Sequence, residues 1–268
     1  MNPGGNKLGS LEAQFFAYTQ FKRKQMVRCG EIANALGITP KQELELLSRM
    51  ARNRWITRIR RGYYAVPDRL PPGGNWSPGE YRALALLMED RKARYQISGP
   101  RAFNFYGFDD QIPNWIVVYN DRISGERNIG KLRYIFIEIP TFRLGDVYSF
   151  RAGDGAPAIY SSKARTLIDA IYDWSRFNGI PRAFLWIRKA AAEDPKIAGK
   201  LVRAALKYSN QGTLRRLGFV LSRLNVKKRL LTQLLRTIRP SKSLIPLVPT
   251  APARGKIDPV WGITINES

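Results

Sequence analysis

The sequence of 268 residues predicts an α+β protein, and three features of it do so. The first 66 residues read as short helices followed by a β-branched, aromatic hairpin. The middle of the chain alternates strand-like and helix-like periods. From Pro181 to about residue 240 the pattern is almost wholly helical, and Pro240, Pro246, Pro249 and Pro252 end that run.

The elements follow in order. Leu11 to Phe21 spaces Leu11, Phe15 and Tyr18 or Thr19 as a helix does. Glu31 to Leu36 forms a second helix, stopped by Gly37. Thr39-Pro40-Lys41-Gln42 opens a third: Thr39 caps, Pro40 suits the first helical position and Gln42 completes a capping box. Leu44, Leu47, Met50 and Ala51 are expected on its core face, with Lys41, Gln42, Glu45, Arg49 and Arg52 off it. Trp55 to Val66 is a hairpin that turns at Gly62 and is closed by Pro67. Helix, turn, helix and basic hairpin together predict a winged helix-turn-helix domain over residues 1–70.

Pro71 to Asn75 is a compositional break and the expected domain boundary. Beyond it, residues 76–268 are expected to form a larger mixed α/β domain. Ser77-Pro78 opens a helix to about Asp90, with Tyr81, Leu84, Ala85 and Met88 on one stripe. Trp115 to Tyr119 and Arg133 to Ile139 read as strands, with Gly125 and Gly130 in the turn between them. A strand at Ala158 to Tyr160 leads into a helix from Ala164 to Trp174, which completes the mixed portion, 76–180. A basic helical portion, 181–240, holds helices at 182–193, 196–208, 213–224 and 226–238. A terminal strand within 256–266 is expected to pair back onto the middle sheet.

Charge narrows the function. There are 45 Lys+Arg against 21 Asp+Glu, a formal +24. Residues 1–75 carry 13 basic and 5 acidic side chains, residues 76–180 carry 14 and 12, and residues 181–243 carry 16 and 2. Two basic lobes thus flank a nearly neutral middle, which implies a polyanionic partner, nucleic acid before membrane. There is no histidine, so the usual general base and commonest zinc ligand are missing. The single cysteine, Cys29, excludes a disulfide framework and is expected to be buried or half-buried. Asp109-Asp110 reads as a solvated turn, not a metal site. No cofactor and no metal are expected. With no apolar run near 20 residues and no secretory core in Met1 to Ser10, the chain is expected in the cytoplasm, associated with the nucleoid and not with membrane.

In a winged helix the second helix of the pair enters the major groove, its first residues nearest the base edges. Lys41 and Gln42 occupy that start, Gln42 as an amide able to bond adenine bidentately. Arg49 and Arg52 would reach phosphate, and Arg58, Arg60 and Arg61 arm the wing around Gly62. Glu43 and Glu45 oppose a uniformly DNA-facing helix, although Glu45 could accept from cytosine or fix an arginine. In the basic helices, Arg215, Arg216, Lys227, Lys228 and Arg229 are candidate secondary contacts to DNA or phosphate. Arg165 and Asp169 stand i,i+4 and can pair on one helix face, with Thr166 capping or back-bonding. A structural pair outweighs a catalytic one there, and no catalytic residue is assigned. The chain thus reads as a binder of double-stranded DNA and not as an enzyme. Two alternatives remain open: an enzyme acting on nucleic acid, which would need a carboxylate cluster for Mg²⁺, and an RNA- or protein-binding module using the same basic surfaces.

Several stretches, in order, resemble the AbiEi antitoxins, including their mycobacterial relatives. Cys29-Gly-Glu-Ile-Ala-Asn-Ala-Leu-Gly37 is similar to the family's first reading helix, and Arg60-Arg-Gly-Tyr-Tyr64 to its Arg-Gly-x-Tyr wing. Ile97-Ser-Gly-Pro-Arg-Ala-Phe-Asn-Phe-Tyr-Gly107 resembles its Ser-Gly segment, and Ser162-Lys-Ala-Arg-Thr-Leu-Ile-Asp169 its Arg-Thr-Leu-x-Asp signature. Arg215-Arg-Leu-Gly218 and Trp261-Gly-Ile-Thr-Ile-Asn266 are similar to its late helix and terminal strand. The resemblance implies an antitoxin and autorepressor of a type IV toxin–antitoxin system in a prokaryote. It implies binding to inverted repeats in the system's own promoter as a homodimer or cooperative oligomer. It also implies that an AbiEii-type nucleotidyltransferase toxin is countered without a tight complex. The 181–243 block is more basic than the family pattern leads one to expect, so this part could grip DNA as well as dimerise.

Overall fold

The computed structural model describes residues 8–240 and 243–266. In chain order the elements are α1 (Ser10–Phe21), β1 (Met26–Arg28), α2 (Glu31–Leu36), α3 (Pro40–Arg52), β2 (Thr57–Arg60), β3 (Tyr63–Ala65), α4 (Glu80–Asp90), β4 (Tyr95–Ser98), α5 (Pro100–Phe105), β5 (Trp115–Asn120), β6 (Gly125–Ile129) and β7 (Leu132–Glu138). There follow a 3-10 turn (Thr141–Arg143), β8 (Val147–Arg151), β9 (Pro157–Ser161), α6 (Lys163–Tyr172), α7 (Trp174–Phe177), α8 (Arg182–Glu193), α9 (Ile197–Tyr208), α10 (Gln211–Ser222) and α11 (Lys228–Thr237). Short strands β10 (Ile245–Pro246), β11 (Lys256–Asp258) and β12 (Ile263–Ile265) complete the chain, an α+β arrangement whose first part is a winged helix-turn-helix. No helix among the described residues is long and apolar enough to cross a membrane.

Two compact units make up the molecule. The first holds the described residues up to Arg94 with Arg122–Phe136 and Phe150–Ala158. Its core is Phe15 and Phe16 of α1, Ile32 of α2, Leu46, Leu47 and Met50 of α3, Val27 of β1, and Trp55, Ile56, Tyr64 and Val66 around the wing. The wing sheet has the order β1-β3-β2, with β1 supplied from the turn ahead of α2. The Thr39–Gln42 capping box is present, and Gly37 ends α2 in the left-handed conformation, φ 64°. Gly62 turns the wing at φ 73°, a value that favours glycine.

On α3 the buried set is Glu43, Leu46, Leu47 and Met50, whereas Leu44 is 55% exposed. The expectation that Leu44 lay in the core is therefore corrected: the buried stripe is rotated so that Leu46 takes that place. The first unit also runs past Pro71–Asn75, for Trp76 N–H donates to Arg54 O at 2.7 Å and α4 belongs to the same unit. Helix α4 buries Ala83, Leu84, Leu86, Leu87 and Met88, a broader face than a single stripe. The region around Gly125, expected as a turn, is strand β6, paired antiparallel to β7.

The second unit holds Tyr95–Asp121, Ile137–Ser149 and the described residues from Ile159. Strand β4 pairs antiparallel with β5 and parallel with β9. Helix α6 is buried from Ala164 to Ile171 and lies among α8, α9 and α10. The end of the chain departs from expectation. Strand β12 pairs with β10 in parallel and with β11 antiparallel, in a small sheet of its own and not on the middle sheet. The cause is α10. Arg215 Nε donates to Trp261 O at 2.7 Å, its Nη2 donates to Ser243 O at 2.8 Å and to Gly262 O, and Arg216 Nη2 donates to Pro246 O at 2.9 Å. Trp261 packs where Gly218 has no side chain; a Cβ there would run into its ring.

Candidate nucleic-acid interface

The two helices of the helix-turn-helix are locked by a carboxylate. Glu43 is 2% exposed. Its Oε1 accepts from Ile32 N–H at 2.8 Å and Ala33 N–H at 3.1 Å, and its Oε2 from Gly30 N–H at 2.6 Å. These are N-terminal donors of α2 that the helix cannot satisfy itself. Glu43 is thus a capping residue supplied by the neighbouring helix, which corrects its reading as a charge turned against phosphate.

The outward side of α3 carries Lys41, Gln42, Leu44, Glu45, Arg49 and Arg52. Lys41 and Arg52 are exposed and form no ion pair among the described residues. Gln42 is committed locally: its Oε1 accepts from Thr39 N–H at 2.9 Å, and from the Thr39 hydroxyl. While that box holds, its amide cannot offer both ends to an adenine. Arg49 is held too, its Nη2 at 2.6 Å from Glu12 Oε1. Leu44, missed by the sequence reading as a surface residue, is an apolar side chain of the type that contacts a thymine methyl.

On the wing the arginines part company. Arg60 binds Asp90 through two bonds, Nε to Oδ2 at 2.5 Å and Nη2 to Oδ1 at 2.7 Å, and Asp90 is nearly buried. The Arg60 guanidinium holds the Asp90 carboxyl below the usual carboxylate range. Arg28 and Arg60 both lie over the Tyr63 ring, at 5.4 Å and 5.1 Å. Arg60 therefore braces the wing and is not a free tip residue. Arg58 and Arg61 are exposed and form no ion pair among the described residues.

Beside β2 lies a cleft of about 320 Å³ that was not foreseen from the sequence, lined by Arg54, Arg58, Trp76 and Lys131 among others. Ala51, near the end of α3, shares it, so helix end and wing strand border one basic, partly aromatic hollow. The only sequence signals for it were Arg54 just past the helix and Trp76 just beyond the break; in the structure Arg54 leaves the helix at φ 57°. Cys29 is exposed, contrary to expectation, with its N–H bonded to Gly62 O at 3.0 Å beneath the wing tip.

The remaining candidates lie in the second unit. Arg165 and Asp169 are both fully buried, Nε to Oδ1 at 2.8 Å, and Thr166 donates to Ser161 O at 3.3 Å. Arg215 and Arg216 are buried and spend their donors on the carbonyls described above, which removes them as phosphate contacts. Lys227, Lys228 and Arg229 are exposed at the start of α11. Among the described residues no group of three or more His, Cys, Asp or Glu could hold a metal ion.

Comparison with known proteins agrees with this geometry at the N-terminal end. No curated protein sequence matches the chain. A crystal structure of the RV2827C protein from Mycobacterium tuberculosis has a similar fold, with a TM-score of 0.62 and 14% identity, over 97% of this chain and 94% of that one. Residues 20–67 match the family described as "Transcriptional regulator, AbiEi antitoxin". That segment contains the end of α1, the whole helix-turn-helix and the whole wing. Over its winged helix-turn-helix, this chain is matched to the AbiEi antitoxin family of transcriptional regulators.

Proposed function

We propose that the chain is a sequence-specific duplex-DNA-binding antitoxin that represses its own toxin–antitoxin promoter. The observation that carries the reading is the set of exposed cations on one winged helix that form no ion pair among the described residues: Lys41 and Arg52 on α3, Arg58 and Arg61 on the wing. Helix α3 would enter the major groove, with Lys41 and Leu44 toward base edges, while Arg52, Arg58 and Arg61 neutralise phosphates. Domain 1–70 is the reading head in this scheme, and two copies would meet the half-sites of an inverted repeat. The basic start of α11, Lys227 to Arg229, is offered as an additional backbone contact. Restraint of a nucleotidyltransferase toxin without a tight complex rests on the family resemblance.

Anisotropy titration of the full chain against its own upstream DNA, compared with an unrelated duplex, tests this. Specific binding should exceed non-specific by roughly 10³ or more. Replacing Arg58 and Arg61 by Ala should flatten the salt dependence by about 0.9 per lost phosphate contact. Equal affinity for both duplexes would overturn the reading.

A further inference from the structure

The second unit contains a cleft of about 870 Å³ that the DNA reading does not use. That is the size of a small-molecule site. One wall is aromatic: Phe105, Tyr106, Tyr148 and Tyr208. The wall is braced from behind. Phe105 stacks on Tyr160, centroids 4.3 Å apart, and the Tyr106 hydroxyl donates to Ser161 O at 2.8 Å. Phe105 is 38% and Tyr148 52% exposed, so ring surface faces the cleft.

The other wall is cationic. Lys200, Arg203 and Lys207 lie at i, i+3 and i+7, one stripe of α9, and Lys163 joins them from α6. Like charges so spaced on a helix repel. Asp194 approaches Lys200 at 3.5 Å and Glu193 approaches Lys163 at 3.5 Å, but Arg203 and Lys207 form no ion pair among the described residues. Four cations against Asp146 and Asp194 leave the lining net positive. Ser162, Lys163 and Ala164 also bring the first turn of α6 to the cleft, and its dipole favours an anion there. Behind Tyr208 the buried Arg165 guanidinium lies 4.1 Å from the ring, adding positive potential that Asp169 partly offsets.

We propose that this cleft binds a nucleoside phosphate, its base against the Phe105–Tyr148 wall and its phosphates on Arg203, Lys207 and Lys200. An apolar ligand would leave the cation stripe uncompensated, and a simple anion would leave the rings unused. A paired duplex cannot present a base face to a ring without unstacking. The inference stands independently of DNA binding by the first unit.

Calorimetric titration of the full chain with ATP, GTP, CTP and UTP, and with tripolyphosphate alone at the same salt, tests it. At least one nucleotide is expected to bind one-to-one and more tightly than tripolyphosphate. Tyr148→Ala should weaken the nucleotide roughly tenfold and leave tripolyphosphate unchanged. Arg203→Ala with Lys207→Ala should weaken both. All three side chains are exposed, so circular dichroism should show an intact fold. Three results would overturn the proposal: no nucleotide binding at millimolar concentration, tripolyphosphate bound as tightly as nucleotides with Tyr148→Ala silent, or capture of a single-stranded oligonucleotide while mononucleotides fail to bind.

Discussion

Arg60 and Arg61 are adjacent in the sequence and opposite in circumstance. Arg61 is exposed and forms no ion pair among the described residues, whereas Arg60 is fastened to a nearly buried Asp90. Arg61→Ala should leave stability unchanged and lower DNA affinity. Arg60→Ala would leave the Asp90 carboxylate with only the longer contacts to Arg28 at 3.8 Å and Arg91 at 3.9 Å, and should cost about 1–2 kcal/mol at neutral pH, the lower part of the range for such losses because Arg60 is one-third exposed. The sign with pH follows from Asp90, whose carboxyl titrates lower in the folded than in the unfolded protein. Its stabilising effect is present above the ordinary carboxylate pKa of about 3.9 and is lost as pH falls through the lower folded value. Denaturant melts of wild type and Arg60→Ala should therefore differ at about pH 7, and the difference should shrink progressively as the pH is lowered below the ordinary carboxylate range. Glu43→Gln keeps the shape but removes the charge that caps α2, and should cost about 1–3 kcal/mol. At this scale the local pairs were legible, Arg165 with Asp169 and Thr39 with Gln42, but Glu43, Arg49 and Arg60 look like surface charges until their partners, 10 to 37 residues away, are seen beside them.

Elements were legible where a local signal sufficed. The capping box fixed the start of α3, Gly37 the end of α2, and 182–193 coincides with α8. Strands β1, β4, β6 and β8 were missed because each is short or lacks apolar alternation; β6 has only Ile129 fully inside. The terminal strand was recognised but given the wrong partner. Its place is set by α10, where Arg215, Arg216 and Gly218 meet Trp261, Gly262 and Pro246. The two late motifs, separate in sequence, are therefore the halves of one clamp. Trp261→Ala should cost about 3 kcal/mol or more in unfolding free energy. Gly218→Ala should destabilise as well, because Trp261 is nearly buried and cannot give way freely. Thermal melts of both variants check this, and an unshifted Gly218→Ala would show that the ring is not seated against the helix.

At the level of the whole molecule, the charge profile indicated how basic each region is but not which cations stay free. Of the sixteen basic side chains in residues 181–243, Arg215 and Arg216 are internal, and Lys200, Arg203 and Lys207 border the aromatic cleft. The +24 therefore overstates what a duplex can meet. The measured salt slope on upstream DNA should accordingly reflect only a handful of released counterions, each worth about 0.9. A slope near that of the formal charge would mean that the second unit lies along the backbone as well.

The clamp on α10 also orders events during synthesis. The carbonyls that Arg215 and Arg216 require belong to residues 243–262, which leave the ribosome well after the helix itself. Until they emerge, two guanidiniums and a bare glycine groove wait uncovered, so this part of the second unit closes only after residues 243–262 have been made. The winged head, whose core is drawn from residues between Phe15 and Val66, is free to fold while the remainder is still being made.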